Sequence, residues 1–266
     1  DMKEWHIKKM MEQGNQLKIQ QTQENIRLIP DYITSIAKSG CEVGMLLHLG
    51  LGIDYQLENG RTILHVVSSL GGVECMRYLL EAKVDMEIKD DEGHTALHIA
   101  NREGHVECVR ELIKQSANVL AETKHGSTAL HLASQYGHEG CQKMLLEAGS
   151  ELEARDYEGD TAFLCASYGG QIECIDGLIE AKVNINVQNN DGFTALHHTA
   201  KHCNSEKIVR CLGMLVEAGV KMEIKDNVSR HAIDLIELNE NSLSSKIKNR
   251  CKGLLDSSLC SACNNH

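Results

Sequence analysis

The sequence predicts an all-α repeat solenoid of stacked helix-turn-helix units. A 33-residue period runs through it: GRTILHVVSSLGGVEC starts at 60, GHTALHIANREGHVEC at 93, GSTALHLASQYGHEGC at 126, GDTAFLCASYGGQIEC at 159 and GFTALHHTAKH at 192. Such self-similarity marks a repeat architecture. Each period also holds two stretches of helical character separated by glycine, as in the second unit, where Val106, Val109, Leu112 and Ile113 form one apolar stripe. Finally, the 266 residues contain a single proline, Pro30, which suits a chain rich in helix and short on irregular loops.

The elements follow in order. Residues 1–26 are expected to form a helical extension, with Trp5, Ile7, Met10, Met11 and Leu17 as a loose apolar stripe that packs on the first repeat or docks as a peptide. Residues 27–59 read as a degenerate capping repeat. Five clear repeats occupy 60–92, 93–125, 126–158, 159–191 and 192–228. SRHAIDLIELN at 229 opens a degenerate C-terminal cap, 229–256. The step from 192 to 229 is 37 residues, so the fifth repeat has gained four, placed near HCNSEK between its two helices. Within a unit, Thr95 caps a helix that continues through Ala96 and Leu97, and the polar His98 stands where a reciprocal cap partner would. Gly104 ends that helix after about Arg102. No unit can bury its apolar face alone; stacking neighbours makes the core.

The chain resembles the ankyrin-repeat family. The resemblance rests on TALH at 95–98, 128–131 and 194–197, TILH at 62–65, Gly-His pairs at 104 and 137, and LLEA-type endings at 79–82, 145–148 and 215–218. It covers roughly residues 27–256, and the family's usual Pro in the tetrapeptide is Ala or Ile here. It implies an ankyrin stack whose units are joined by β-hairpin loops. It also implies that the TALH histidines brace helix starts, and that Gly149, Gly219, Lys83 and Lys182 take a left-handed conformation after the second helix. The fourth unit departs from the pattern: it reads TAFL, so Leu164 replaces the histidine and local packing is expected to differ.

Cys75, Cys108, Cys141 and Cys174 recur every 33 residues, and Cys211 joins them once the insertion is allowed for. Equivalent helices of stacked repeats lie about 8–10 Å apart, whereas a disulfide needs Cα atoms within about 7 Å. Four thiolates on one zinc must converge at about 2.3 Å. The ladder is therefore expected to be buried packing, cysteine acting as a small hydrophobe. Eleven cysteines without a signal peptide suggest reduced thiols in a cytoplasmic or nuclear protein. The first residue is not Met, so the sequence is expected to be part of something longer.

The formal charge of −11 argues against a general nucleic-acid or anionic-membrane binder, and no apolar run is long enough to span a membrane. His65, His98, His131 and His197 are spread one per unit and cannot meet on one ion. His198 and His202 share a helix face beside His197 and Cys203, which makes zinc conceivable, but no further ligand is placed. At the end, Cys260, Cys263 and His266 supply part of a zinc ligand set, read as a tail or the start of a following zinc domain over 257–266. Neither a phosphate-binding GxxxxGK[ST] nor a GxSxG nucleophile turn occurs, so no catalysis, cofactor or complete metal site is expected.

The function expected is recognition of a partner protein or peptide on the concave face of the stack. In the family, contacts flank the hairpin glycine and the end of the first helix. Carried over, these positions are Glu58, Asn59, Arg61 and Leu70; Asp91, Glu92, His94, Arg102 and Glu103; Lys124, His125, Ser127, Gln135 and Tyr136; Tyr157, Glu158, Asp160 and Tyr168; and Asp191, Phe193, Lys201 and His202. Aromatics make up only 3 % of the chain, and Tyr136, Tyr157, Tyr168 and Phe193 all fall at such positions; they are expected to form a binding patch, the alternative being that they pack on neighbouring repeats. The alternatives are the substrate-recruiting arm of a multidomain enzyme, such as a ubiquitin ligase whose zinc domain begins at Cys260, and an architectural or self-assembling spacer. A monomeric array is expected, with the N-terminal helix available for self-association.

Overall fold

The computed structural model describes residues 53–57, 59–202, 205–238 and 249–255. The N-terminal extension, nearly all of the first cap, Glu58, Cys203 and the tail with Cys260, Cys263 and His266 lie outside them. The described helices are α1 Ile63–Leu70, α2 Val73–Glu81, α3 Ala96–Glu103, α4 Val106–Lys114, α5 Ala129–Tyr136, α6 Glu139–Glu147, α7 Ala162–Gly169, α8 Ile172–Glu180, α9 Ala195–Lys201, α10 Glu206–Glu217 and α11 Ala232–Leu238; residues 249–255 are also helical. They fall into two compact units. The first runs to Ala100 and resumes over His105–Asn118; the second comprises Asn101–Gly104 and the chain from Val119.

In the first unit α2 packs on α1 and on α4. In the second, first helices form one row, α5 on α7 on α9 on α11, and second helices another, α6 on α8 on α10. The core lies between these layers. Cys75, Cys108, Cys141, Cys174 and Cys211 are each at most 1 % exposed and free. Burial pushes the thiols of Cys75, Cys141 and Cys211 up to about 11 and that of Cys174 to about 12. The ladder is packing, as its spacing requires. Cys251 departs from the expectation of reduced thiols: it is disulfide-bonded, and it stands outside the repeated slot whose spacing keeps the other five apart.

At His65, His131 and His197 the TALH-type motif does two things at once. The backbone N–H of Thr62 donates to His65 Nδ1 at 3.0 Å, and Thr95, Thr128 and Thr194 repeat this with His98, His131 and His197 at 3.1, 3.1 and 3.3 Å. On the far side of the ring, Nε2 donates to a carbonyl of the next repeat: His65 to His94 at 2.9 Å, His131 to Asp160 and His197 to Arg230 at 3.1 Å. A carbonyl can only accept, so Nε2 carries the hydrogen and Nδ1 is the acceptor for the threonine N–H. One neutral imidazole thus caps a helix and ties it to the following unit.

The loops between repeats are tight turns, and no strand occurs among the described residues. Asp90, Asp156 and Asp226 each accept two backbone N–H groups on Oδ1, from residues two and four further on; Asn189 does the same. The backbone closes the turn, as in Asp90 N–H to the His94 carbonyl at 2.8 Å. Successive tips are then linked by single bonds: Asp91 donates to Asn59, Tyr157 to His125, Asn190 to Glu158 and Asn227 to Asp191. This is hairpin geometry made from side-chain acceptors, and it never extends to a ladder.

Two features of the sequence are resolved more finely. Lys83 and Lys182 are left-handed, at φ 63° and 64°, as are Gly149 and Gly219. Ser116 takes the same slot at φ 66°. The insertion in the fifth repeat is placed partly inside a helix: α10 has 12 residues where α2, α4, α6 and α8 have 9. About one extra turn is absorbed before Cys211 without changing which face is buried.

Three measurements check this account. Burial lowers the pKa of His65, His131 and His197 from 6.5, so the unfolded chain takes up protons first and stability is lost as pH falls below that value. The melting temperature should be flat between about pH 7 and 8 and decline below about 6.5, above the carboxylate range. Replacing all three histidines with leucine, the residue found at 164, should flatten that decline. In the fourth unit Thr161 has no imidazole to meet, and its buried hydroxyl has no hydrogen-bond partner. Thr161→Val should therefore be neutral or stabilising in denaturant melts, whereas Thr128→Val, which breaks a made cap, should cost about 1 kcal/mol. Lys83→Gly and Lys182→Gly should be neutral or stabilising by up to about 1 kcal/mol; clear losses in both would show that these turns do not strain a side chain.

Candidate partner-binding surface

The positions carried over from the resemblance separate by environment. In the first unit, Arg61 is half-buried and its Nε meets Asp90 Oδ2 at 3.3 Å. His94 Nδ1 stands 3.2 Å from Asp90 Oδ1, on the same carboxylate. Leu70 is half-buried at the end of α1, and Asp91 and Glu92 are exposed. Arg61 and His94 therefore fix a turn as well as presenting polar surface.

In the second unit Arg102 and Glu103 pair with each other at 2.9 Å. Lys124 and His125 are exposed at a turn, and Ser127 and Gln135 are half-buried. Three tyrosines stand out: Tyr136 is 50 %, Tyr168 45 % and Tyr157 70 % exposed. Tyr157 nevertheless lies against the preceding turn, where a Cβ on Gly126 would come within 2.6 Å of its ring. The edge of Tyr168 meets His202 with ring centroids 4.4 Å apart. Burial, then the charges of Lys201 and His198, lowers the His202 pKa below 6.5, which favours its neutral imidazole.

Two expected contact residues are corrected. Phe193 is only 7 % exposed. Its ring stacks on His197 and meets His198 edge-on, both at 5.5 Å, with the Lys201 ammonium 5.1 Å from its centroid. The phenyl ring belongs to the scaffold, covered by its own helix. Asp160 is 7 % exposed, because Oδ1 accepts from Asn189 at 2.8 Å and pairs with His198 Nε2 at 3.1 Å. The sequence reading treated both as free loop positions and missed the inward side chain of His198. Conversely, Tyr78 and Val228 are each 65 % exposed and were not marked. Val228 was legible, since the 37-residue step aligns it with the turn residue Asp191; nothing in the helical pattern singled out Tyr78.

Another repeated contact explains the Gly-His pairs. His105 Nε2 donates to the Ser69 carbonyl at 3.1 Å, His138 to Arg102 at 2.9 Å, and the Gln171 amide to Gln135 at 3.0 Å. Each reaches back over the end of the previous repeat's first helix. The helix-ending Gly71 is left-handed at φ 69°, and a Cβ there would lie 2.7 Å from His105 Nδ1. Glycine is required twice over, for backbone angle and for room.

Helical pairs repeated at near-constant spacing, with polar turns and helix ends exposed, define a helical repeat protein of the kind that serves as an interaction module. The chain belongs to the ankyrin-repeat family: the family model for ankyrin repeats in three copies matches residues 34–123, 82–156 and 149–226. The fold is similar to the crystal structure of an ankyrin repeat domain from Acinetobacter baumannii AYE, at a TM-score of 0.62 and 23 % identity, covering 73 % of this chain and 96 % of that one. No curated protein matches the chain. Among the described residues, no helix is long and apolar enough to cross a membrane.

Proposed function

We propose that the chain recognises a partner protein or peptide through the turns and first-helix ends of its repeats, without catalysis. The observation that carries this reading is the exposure of Tyr136, Tyr157 and Tyr168 in the third and fourth repeats in a chain otherwise poor in aromatics. Tyrosine presents a large apolar area with a polar tip and loses little conformational freedom on contact, so it is enriched among interface anchors. Around the three lie Gln135, His125, Lys201 and His202, which offer a polar rim. A partner with an apolar anchor flanked by hydrogen-bonding groups fits this surface.

The test is capture of partners by the intact chain and by variants. Tyr136→Ala and Tyr168→Ala should each weaken the captured interaction by roughly 1–3 kcal/mol, measured by titration calorimetry, while melting temperatures stay near that of the parent. Normal binding by both variants would place the partner elsewhere. Loss of folding in both would assign the tyrosines to the scaffold.

A further inference from the structure

The residue after the TALH histidine holds one register position in every first helix, buried in all but Val66. It reads Val66, Ile99, Leu132, Cys165, His198 and, across the insertion, Leu235. Four repeats place an aliphatic residue there. Two adjacent repeats place a thiol and an imidazole, which are metal-ligand types. Both are buried, at 8 % and 7 % exposed, and both turn to the same loop.

That loop supplies two carboxylates. Asp156, Asp160 and Cys165 each offer a ligand atom, and the three atoms lie within 4.8 Å of one another. His198 Nε2 is 3.1 Å from Asp160 Oδ1, close to the roughly 3.3 Å between two donors that each bind one tetrahedral zinc at about 2.0–2.1 Å. The Cys165 thiol makes no hydrogen bond among the described residues and is free of disulfide. Neither carboxylate meets a lysine or arginine within ion-pair distance among those residues; Asp160 Oδ1 accepts from the Asn189 amide and pairs with His198, and Asp156 Oδ1 accepts the N–H groups of Glu158 and Asp160. Burial raises the Asp156 carboxyl above its usual range, with the Asp160 charge adding to it against the backbone N–H donors. Burial and then the carboxylates of Asp160, Asp156 and Glu158 hold the Cys165 thiol well above 9.0. Two carboxylates and a thiol are thus gathered at one partly buried place, with the His131 and His198 rings beside them, a setting whose charge balance a divalent cation inverts.

We propose that Asp156, Asp160, Cys165 and His198 form a binding site for a borderline-soft divalent cation, zinc above all. This departs from the expectation that the array holds no metal. It is also separate from the cysteine ladder, whose members are held apart. On binding, the Cys165 thiol loses its proton, and His198 binds through Nε2 as a neutral imidazole with its hydrogen on Nδ1, so the thiol proton leaves as the cation enters. A set of two oxygens, one sulfur and one nitrogen suits zinc and disfavours magnesium or calcium, which take oxygen. The cation would bind the fourth repeat to the first helix of the fifth, within the second unit.

Cobalt(II) is the probe, added to the metal-free full chain. One equivalent should give the intense visible bands of tetrahedral cobalt and a thiolate-to-metal charge-transfer band, both bleached by zinc. Cys165→Val, which restores the residue type of position 66, should fold with an unchanged melting temperature in the absence of metal, lose the charge-transfer band and weaken binding by at least roughly 100-fold. His198→Leu should weaken it comparably. The Cys260→Ser/Cys263→Ser chain should keep both the band and the affinity. No stoichiometric cobalt spectrum, or one that survives Cys165→Val, would overturn the proposal; a spectrum lost only in the Cys260→Ser/Cys263→Ser chain would do the same and move the site to the tail.

Discussion

The rest of the structure depends on a neutral imidazole held between a helix N-terminus and the next repeat. At His65, His131 and His197 the Nδ1 lone pair receives the threonine N–H, and Nε2–H reaches a carbonyl 29 to 33 residues away. A helix of eight residues is too short to hold itself in water. The same ring that satisfies one of its orphan donors also fixes where the following turn must lie. At these three repeats local order and repeat-to-repeat register are therefore one contact, which couples the unit to its neighbour rather than leaving so short a helix to fold singly.

What the sequence made legible is what repeats. The 33-residue period, the TALH register and the glycines located the helices of all five clear repeats. The slot of Lys83 and Lys182 was readable because Gly149 occupies it elsewhere. The spacing of Cys75, Cys108, Cys141, Cys174 and Cys211 was enough to read them as buried packing, and all five are buried and free. A period also announces its own exceptions: Leu164 for histidine leaves the Thr161 hydroxyl without a partner.

The candidate surface was legible only in part. A register tells which residues stand at a turn, but not which way a side chain faces once its neighbours are in place. Phe193 and Asp160 were read as exposed because the same slots hold Arg61, His94 and Ser127 in other repeats. In the fifth repeat His198 replaces an aliphatic residue at the position after the TALH histidine. It draws Asp160 to its ring nitrogen and supports the edge of Phe193. That is a consequence of two substitutions 38 residues apart meeting in space, and a single sequence read unit by unit does not show it. Tyr136 and Tyr168, at the ends of first helices, and Tyr157, at a turn, stay exposed.

The longer α10 bears on how this architecture tolerates change in length. Its extra residues join the start of the helix, upstream of Cys211, and the stripe Ile208, Cys211, Leu212 and Leu215 stays inside. One added residue would turn everything before it by about 100° about the axis, swinging buried side chains to the surface or forcing the connecting loop to unwind. Three or four return the chain to nearly the same heading, some 5 Å further along. Second helices in such an array can thus lengthen only by near-whole turns. Indels of one or two residues are steered into the loops, and a variant library that respects this quantum should recover far more folded members than one that does not.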